Sequence, residues 1–95
     1  MSEIPQVVGL AALAKSNPEG AALPGTSLSV RMVKDKQAFK LEQDTWLLVL
    51  EGELIVDLPF GDFRILKQGE SLHLPGSLDI SWQPLDEVVL LQQYG

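Results

Sequence analysis

Short apolar runs with strand character, separated by glycine-containing turns, fill the chain between Trp46 and Gly76. Glycine is the residue that most readily supplies the positive φ that tight turns require. Pro59-Phe60-Gly61-Asp62 and Gln68-Gly69 are each predicted to close a hairpin. Turns this frequent allow only short strands between them. The four predicted turns are Glu51-Gly52, Phe60-Gly61, Gln68-Gly69 and Pro75-Gly76.

From Ser27 onward, apolar and polar residues alternate with a period of two. Alternation of this kind predicts strands that bury one face. Two segments, 46–50 and 88–91, are apolar without interruption, and such strands are expected to be covered on both faces. The clearest alternating apolar positions are Leu28, Val30, Met32, Leu54, Val56, Phe63, Ile65, Leu72, Leu74, Leu78, Ile80 and Trp82.

About eight short antiparallel strands joined by tight turns are typical of a closed barrel or jelly-roll sandwich. The sequence therefore predicts an all-β protein with one domain over residues 27–95, built as a β-barrel or a jelly-roll sandwich. Residues 1–26 carry Pro5, Pro18 and Pro24 among several glycines and are predicted to form an N-terminal arm. Within it, Val7 to Lys15 can form one short helix, which Asn17-Pro18 would end.

Composition excludes several classes of function. The 95 residues are enough for one domain, and their net charge of −6 disfavours a nucleic-acid partner, because phosphate binding needs clustered cations. No apolar run reaches the roughly 18 residues that span a membrane. The chain has no cysteine, and no secretory leader is recognisable. These features favour a cytoplasmic protein.

The glycine spacing resembles that of the cupin family, a small β-barrel fold that usually holds a metal on histidines. Gly52 matches the closing glycine of the first cupin motif. Gly69 and Pro75, five residues apart, match the opening glycine and the proline of the second. The resemblance covers residues 27–93 and implies a cupin-like jelly roll.

The positions that match the family's metal ligands carry other residues. The His-x-His pair falls on Phe39 and Leu41, or on Ala38 and Lys40 in the alternative register, and the first is preferred because it keeps apolar residues on one face. The glutamate ligand falls on Thr45, and the last histidine on Asp79 or, in agreement with the apolar stripe, on Ile80. A first-row metal needs three or four converging N, O or S ligands. We therefore expect no metal and no cofactor.

Two tryptophans extend the predicted lining of the barrel. Large flat side chains line most small-molecule pockets, so Trp46 and Trp82 are candidates for the wall of a binding site. Core packing is the alternative explanation, and the two are compatible. The expected ligand-binding lining is Phe39, Leu41, Thr45, Trp46, Ile80 and Trp82.

Candidates for catalysis are few. His73 is the only histidine, and its alternation predicts that it points away from Leu72 and Leu74. With Asp79 and Tyr94 it has the groups that a metal-independent isomerase or epimerase would use, but nothing in their spacing makes them converge.

Three functions stay open at this point. The first is a metal-free module that binds or senses a small apolar or amphipathic ligand in an apolar interior. The second is a structural or interaction module with a filled barrel, and the third is a metal-independent isomerase or epimerase. A homodimer is also predicted, because the arm carries apolar residues with too little helix to bury them: Ile4, Val7, Val8, Leu10 and Leu13.

Overall fold

A computed structural model describes residues 7–17 and 19–94, and Tyr94 through its backbone only. Ile4, Pro5, Pro18 and the side chain of Tyr94, which carried predictions, lie outside the described residues. In the described part, one helix precedes nine strands. The elements are α1 Leu10–Ser16, β1 Ala21–Ala22, β2 Leu28–Val33, β3 Gln37–Lys40, β4 Thr45–Glu51, β5 Leu54–Asp57, β6 Phe63–Leu66, β7 Ser71–Leu74, β8 Asp79–Pro84 and β9 Val88–Tyr94, with a 3-10 turn at Pro59–Gly61.

The strands form two antiparallel sheets. The larger sheet has five strands in the order β1-β2-β9-β4-β7, and the smaller sheet has four in the order β3-β8-β5-β6. After β2, every connection between consecutive strands passes from one sheet to the other, except the one between β5 and β6. This alternation between two facing sheets makes the fold a jelly roll, as the sequence predicted.

Apolar side chains fill the space between the sheets. Trp82 is 1% exposed, and Leu47, Leu54 and Leu90 are completely buried. Leu54 and Trp82 belong to the alternating apolar sets of their strands, whereas Leu47 and Leu90 are inward-facing members of the two unbroken apolar runs. The interior cluster comprises Val33, Leu41, Leu47, Val49, Leu54, Val56, Leu66, Leu74, Ile80, Trp82, Val88 and Leu90.

Helix α1 covers part of the outer face of the larger sheet. It begins after Gly9, later than the predicted Val7, and ends at Asn17, whose side-chain amide donates to the Leu13 carbonyl at 3.1 Å. Ala14 is completely buried against the sheet. The second apolar layer explains why 88–91 is apolar without interruption, as predicted, and it includes Ala14, Val30, Met32, Val89 and Leu91. Among the described residues, no helix is long and apolar enough to cross a bilayer.

One of the two predicted hairpins is correct. Pro59–Gly61 joins β5 to β6 in the smaller sheet, with an N–H···O=C bond of 2.8 Å from Leu58 to Asp62. The prediction for Gln68-Gly69 is wrong, because the strands on either side of it lie in different sheets. Gly69 instead donates its N–H to the Val49 carbonyl at 2.7 Å, which ties the crossing to the end of β4.

Candidate binding cleft on the larger sheet

Five of the six predicted lining residues lie between the sheets. Leu41, Ile80 and Trp82 are at most 5% exposed, and Phe39 packs against their cluster. The Phe39 and Trp82 rings meet edge to face with centroids 4.8 Å apart. The alternative register is excluded as a lining, because Ala38, Lys40 and Asp79 are exposed.

These interior residues do not fit the metal that the family resemblance implies. Phe39, Leu41 and Ile80 offer no donor atom. Thr45, 2% exposed, has one hydroxyl, and this donates to the Gln43 carbonyl at 3.1 Å. Among the described residues, no group of three His, Cys, Asp or Glu side chains converges. No metal-dependent step can be assigned to this site.

Trp46 does not line the interior. Residues on β4 alternate in burial, so that Thr45, Leu47 and Val49 face the smaller sheet while Trp46, Leu48 and Leu50 face the outside. The prediction of an interior position is therefore wrong for Trp46. The two tryptophans lie in different layers of the molecule, since Trp82 belongs to the interior cluster and Trp46 to the outer one.

Trp46 instead lies in an open cleft of about 500 Å³ on the outer face of the larger sheet. The register places it beside His73 on one neighbouring strand and Gln93 on the other, and Gln93 in turn pairs with Leu28. Four adjacent strands thus present their outward residues to one surface. The Trp46 cleft is lined by Leu28, Asp44, Thr45, Trp46, His73, Leu91 and Gln93.

Polar side chains stand at the rim of this apolar cleft. Asp44 accepts the Gly76 N–H at 2.8 Å through Oδ1, and its Oδ2 lies 3.9 Å from His73 Nε2. Gln93 Nε2 donates to Ser27 Oγ at 3.0 Å. The Asp44 and His73 side chains are 58% and 62% exposed, so both can reach a molecule in the cleft.

His73 and Asp79 do not form the acid–base group that an isomerase would need. His73 points outward from the larger sheet, as predicted, whereas Asp79 is exposed on β8 of the smaller sheet. The residue facing His73 is Asp44, which the sequence reasoning missed. The available signal was the apolar run that begins two residues after Asp44, because it marks β4 as a central strand with a neighbour on each side.

Comparisons with known proteins give the fold. No protein-family model matches the sequence, and no curated protein does. A candidate ethanolamine utilization protein Q from Salmonella typhimurium is 26% identical over 74% of this chain, with a TM-score of 0.64; the chain spans 58% of that protein's length. A protein from Neisseria meningitidis is 16% identical, with 95% of this chain and 100% of that chain covered and a TM-score of 0.76.

The cupin domain of Drosophila melanogaster CENP-C is 19% identical, with 79% of this chain and 65% of that chain covered and a TM-score of 0.64. Another structure shows the Drosophila protein bound to CAL1. Together with the two-sheet jelly roll, these similarities show that the chain has the cupin-family fold. It is a cupin-type module.

Proposed function

We propose that this cupin-type module binds a small amphipathic molecule in the Trp46 cleft, outside the sandwich. The observation that carries the proposal is the contrast between the two candidate sites. The predicted interior lining is packed with its own side chains, whereas the cleft is an open space of about 500 Å³. A volume of roughly 300–1,000 Å³ is typical of small-molecule pockets.

The cleft has the composition that small-molecule sites share. Trp46, Leu28 and Leu91 offer an apolar surface, and an aromatic ring is a good platform for a flat ligand. His73, Asp44 and Gln93 provide a few polar groups at the edge, which would orient a ligand with one polar end. A molecule with a flat apolar body and a hydroxyl or amine group fits both features.

Fluorescence titration with N-phenyl-1-naphthylamine, a neutral apolar probe, tests the proposal. The protein should enhance the probe's emission saturably, and Trp46→Ala should weaken binding at least tenfold while Trp46→Phe retains most of it. Phe63→Ala, which removes an exposed aromatic residue from the opposite sheet, is the matched control and should leave binding unchanged. Equal losses in Trp46→Ala and Phe63→Ala, or no loss in Trp46→Ala, would refute the cleft as the site.

The second candidate function is an interaction module that forms a homodimer. The outer face of the smaller sheet carries an exposed apolar surface, here called the Phe63 patch, made of Ile55, Phe60, Phe63 and Ile65. Phe63 and Ile65 are 53% and 50% exposed. Phe60 is fully exposed and has a positive φ of 66°, which is unfavourable for a bulky residue. CENP-C bound to CAL1 is an example of a protein with this fold in a protein complex.

A second copy would pack on the face of this sheet and not along its edge. At the edge strand β6, Asp62 Oδ1 accepts the Phe63 N–H at 2.9 Å, and Glu70 Oε1 accepts the Lys67 N–H at 2.8 Å. Native sheets shield their edges from strand addition with charges of this kind. A two-fold axis through the patch would bring the exposed rings and Ile65 of the two copies together.

The predicted contribution of the arm to dimerisation is smaller than the sequence suggested. Leu10 and Leu13 pack against the larger sheet of their own chain, which leaves Val7 and Val8, 103% and 46% exposed, as free apolar residues of the described arm. A stable interface buries about 800 Å² per partner. The broad outer face of the smaller sheet offers more contiguous surface for this than two valines.

Size exclusion with light scattering tests the dimer. Twice the chain mass is expected at micromolar concentration, Ile65→Lys should give the monomer mass, and Val8→Lys should remain dimeric. If Val8→Lys dissociates the dimer and Ile65→Lys does not, the interface lies on the arm and not on the Phe63 patch. A monomeric wild-type protein would contradict the dimer altogether.

A further inference from the structure

The side chain of Arg31 points into the sandwich and has no anionic partner among the described residues. On β2, Arg31 faces the same side as Val33, which belongs to the interior cluster. Met32, between them, faces the outer layer. The guanidinium carbon of Arg31 lies 5.3 Å from the ring centroid of Trp82. This is within the range of a cation–π contact, but such a contact leaves the N–H groups of the guanidinium without acceptors.

Each of these two side chains has a buried donor. Within the described part of the chain, neither Arg31 Nε nor Trp82 Nε1 has a hydrogen-bond partner. The ion pairs of the described residues engage Lys15, Lys34, Arg64 and His73, so none neutralises Arg31. A buried donor without an acceptor is unfavourable, and more so when it is charged. Buried polar groups in native folds usually have a hydrogen-bond partner.

A cavity of about 390 Å³ lies beside Arg31, near the end of β2 and the start of β3. Gln37 pairs with Trp82 in the register of β3 and β8 and therefore faces the same side. Lys34 adds a second cation, which is 3.9 Å from Glu87. The Arg31 cavity is lined by Glu19, Arg31, Met32, Lys34, Asp35 and Gln37.

We propose that the Arg31 cavity binds a small monocarboxylate. The planar guanidinium matches a carboxylate through two parallel N–H···O bonds, and Gln37 supplies a further amide donor. Glu19 and Asp35 line the same cavity, and their carboxylates would repel a doubly charged anion more strongly than a singly charged one. The site is separate from the Trp46 cleft, and neither proposal depends on the other.

Titration with sodium acetate tests the site, with ionic strength held constant by sodium chloride. The indole N–H signals of ¹⁵N-labelled protein are the readout, and Trp46→Phe assigns the Trp82 signal. The Trp82 indole should shift saturably while the Trp46 indole stays in place. Sodium sulfate should shift it less at equal concentration.

Variants of Arg31 separate a carboxylate site from a general salt effect. Arg31→Met keeps the apolar stem and should abolish the saturable shift. Arg31→Lys keeps the positive charge but lacks the paired N–H donors of the guanidinium, and it should weaken acetate binding about fivefold or more. This variant also replaces Arg31→Met as the test if Arg31→Met does not fold. Lys36→Met removes a nearby exposed cation and should change nothing. A shift that is linear in acetate, or one that survives in the Arg31 variants, would overturn the proposal.

Discussion

Gly52 and Gly69 share a backbone conformation and differ in their surroundings. Their φ angles are +88° and +84°. A Cβ at Gly52 would lie 2.6 Å from the Glu87 carbonyl oxygen, whereas nothing lies within 4 Å of one at Gly69. The crossing from β4 to β5 therefore runs against the start of β9 and requires the absence of a side chain, while the later crossing requires only the positive φ.

This pair gives a matched prediction. Gly69→Ala should lower the free energy of unfolding by about 1–2 kcal/mol, the usual cost of placing an L-residue in the left-handed region. Gly52→Ala should lower it further, because the backbone of Glu87 must also move. Urea unfolding of both variants measures the difference. Equal losses would mean that the contact at Gly52 relaxes without cost.

The interior residues at the family's ligand positions should act as core. Phe39→Ala and Leu41→Ala are each expected to cost about 2–5 kcal/mol, through lost apolar burial and the cavity left behind. Lys40→Ala, between them on the exposed side, should stay within about 0.5 kcal/mol of the wild type. Denaturant unfolding followed by tryptophan fluorescence is the measurement. Small losses at Phe39 and Leu41 would show that they face solvent.

Alternation with polar residues identified some buried positions correctly, but it was wrong for Phe63 and Ile65, which are 53% and 50% exposed. Ile80 and Trp82 alternate with Asp79 and Ser81, so the sequence correctly predicted that their side chains point into the interior. Trp46 begins an unbroken apolar run, in which a period of two gives no sign of which residues face inward. Its place in the outer cleft became evident only from its register with His73 and Gln93.

At the scale of elements, helix α1 packs most closely against the larger sheet at Ala14. Ala14 is completely buried against the larger sheet, while Ala12 on the same helix is exposed. Ala14→Leu should therefore destabilise the protein by about 1–3 kcal/mol through overpacking. Ala12→Leu should have little effect, and chemical unfolding distinguishes the two. A similar response from both variants would mean that the helix does not dock as described.

The shielded edge of β6 gives a prediction about pH. The hydrogen bonds from Arg64 and from the Phe63 N–H hold the pKa of Asp62 below its ordinary value. A depressed carboxyl pKa stabilises the fold above the ordinary pKa, and the effect is lost as the pH falls through the lowered one. In an NMR titration, the Phe63 amide shift should move with a midpoint below about 3.9, the value of a free aspartate. Asp62→Asn should abolish that movement, and a midpoint at or above the free value would contradict the contact.

Connections between elements were the least predictable part of the fold. A turn signal such as Gln68-Gly69 specifies a tight reversal of the chain, and the same local chemistry serves a hairpin and a crossing between sheets. Which one forms depends on the pairing of β4 with β7 and β9, and these contacts are distant in sequence. The jelly roll itself was predictable because its glycine spacing resembles a known family.

For the molecule as a whole, we expect no stoichiometric transition metal. Elemental analysis of untagged, dialysed protein should give less than about one tenth of an equivalent of iron, manganese, nickel or zinc, because three or four ligands are needed to retain such an ion. Leu41→His should destabilise the fold, since it buries an imidazole without a ligand set. A retained metal near one equivalent would refute this expectation.

The packed interior also bears on how this domain can change. Where a ligand binds between the sheets, residues that serve recognition occupy the core, and selection for new binding competes with selection for folding. In this chain Trp46, Asp44 and His73 lie outside the interior cluster. A domain of this size has a small margin of stability, so this separation makes the outer cleft a tolerant region: a library randomised at its rim should yield mostly folded proteins with altered ligand preference.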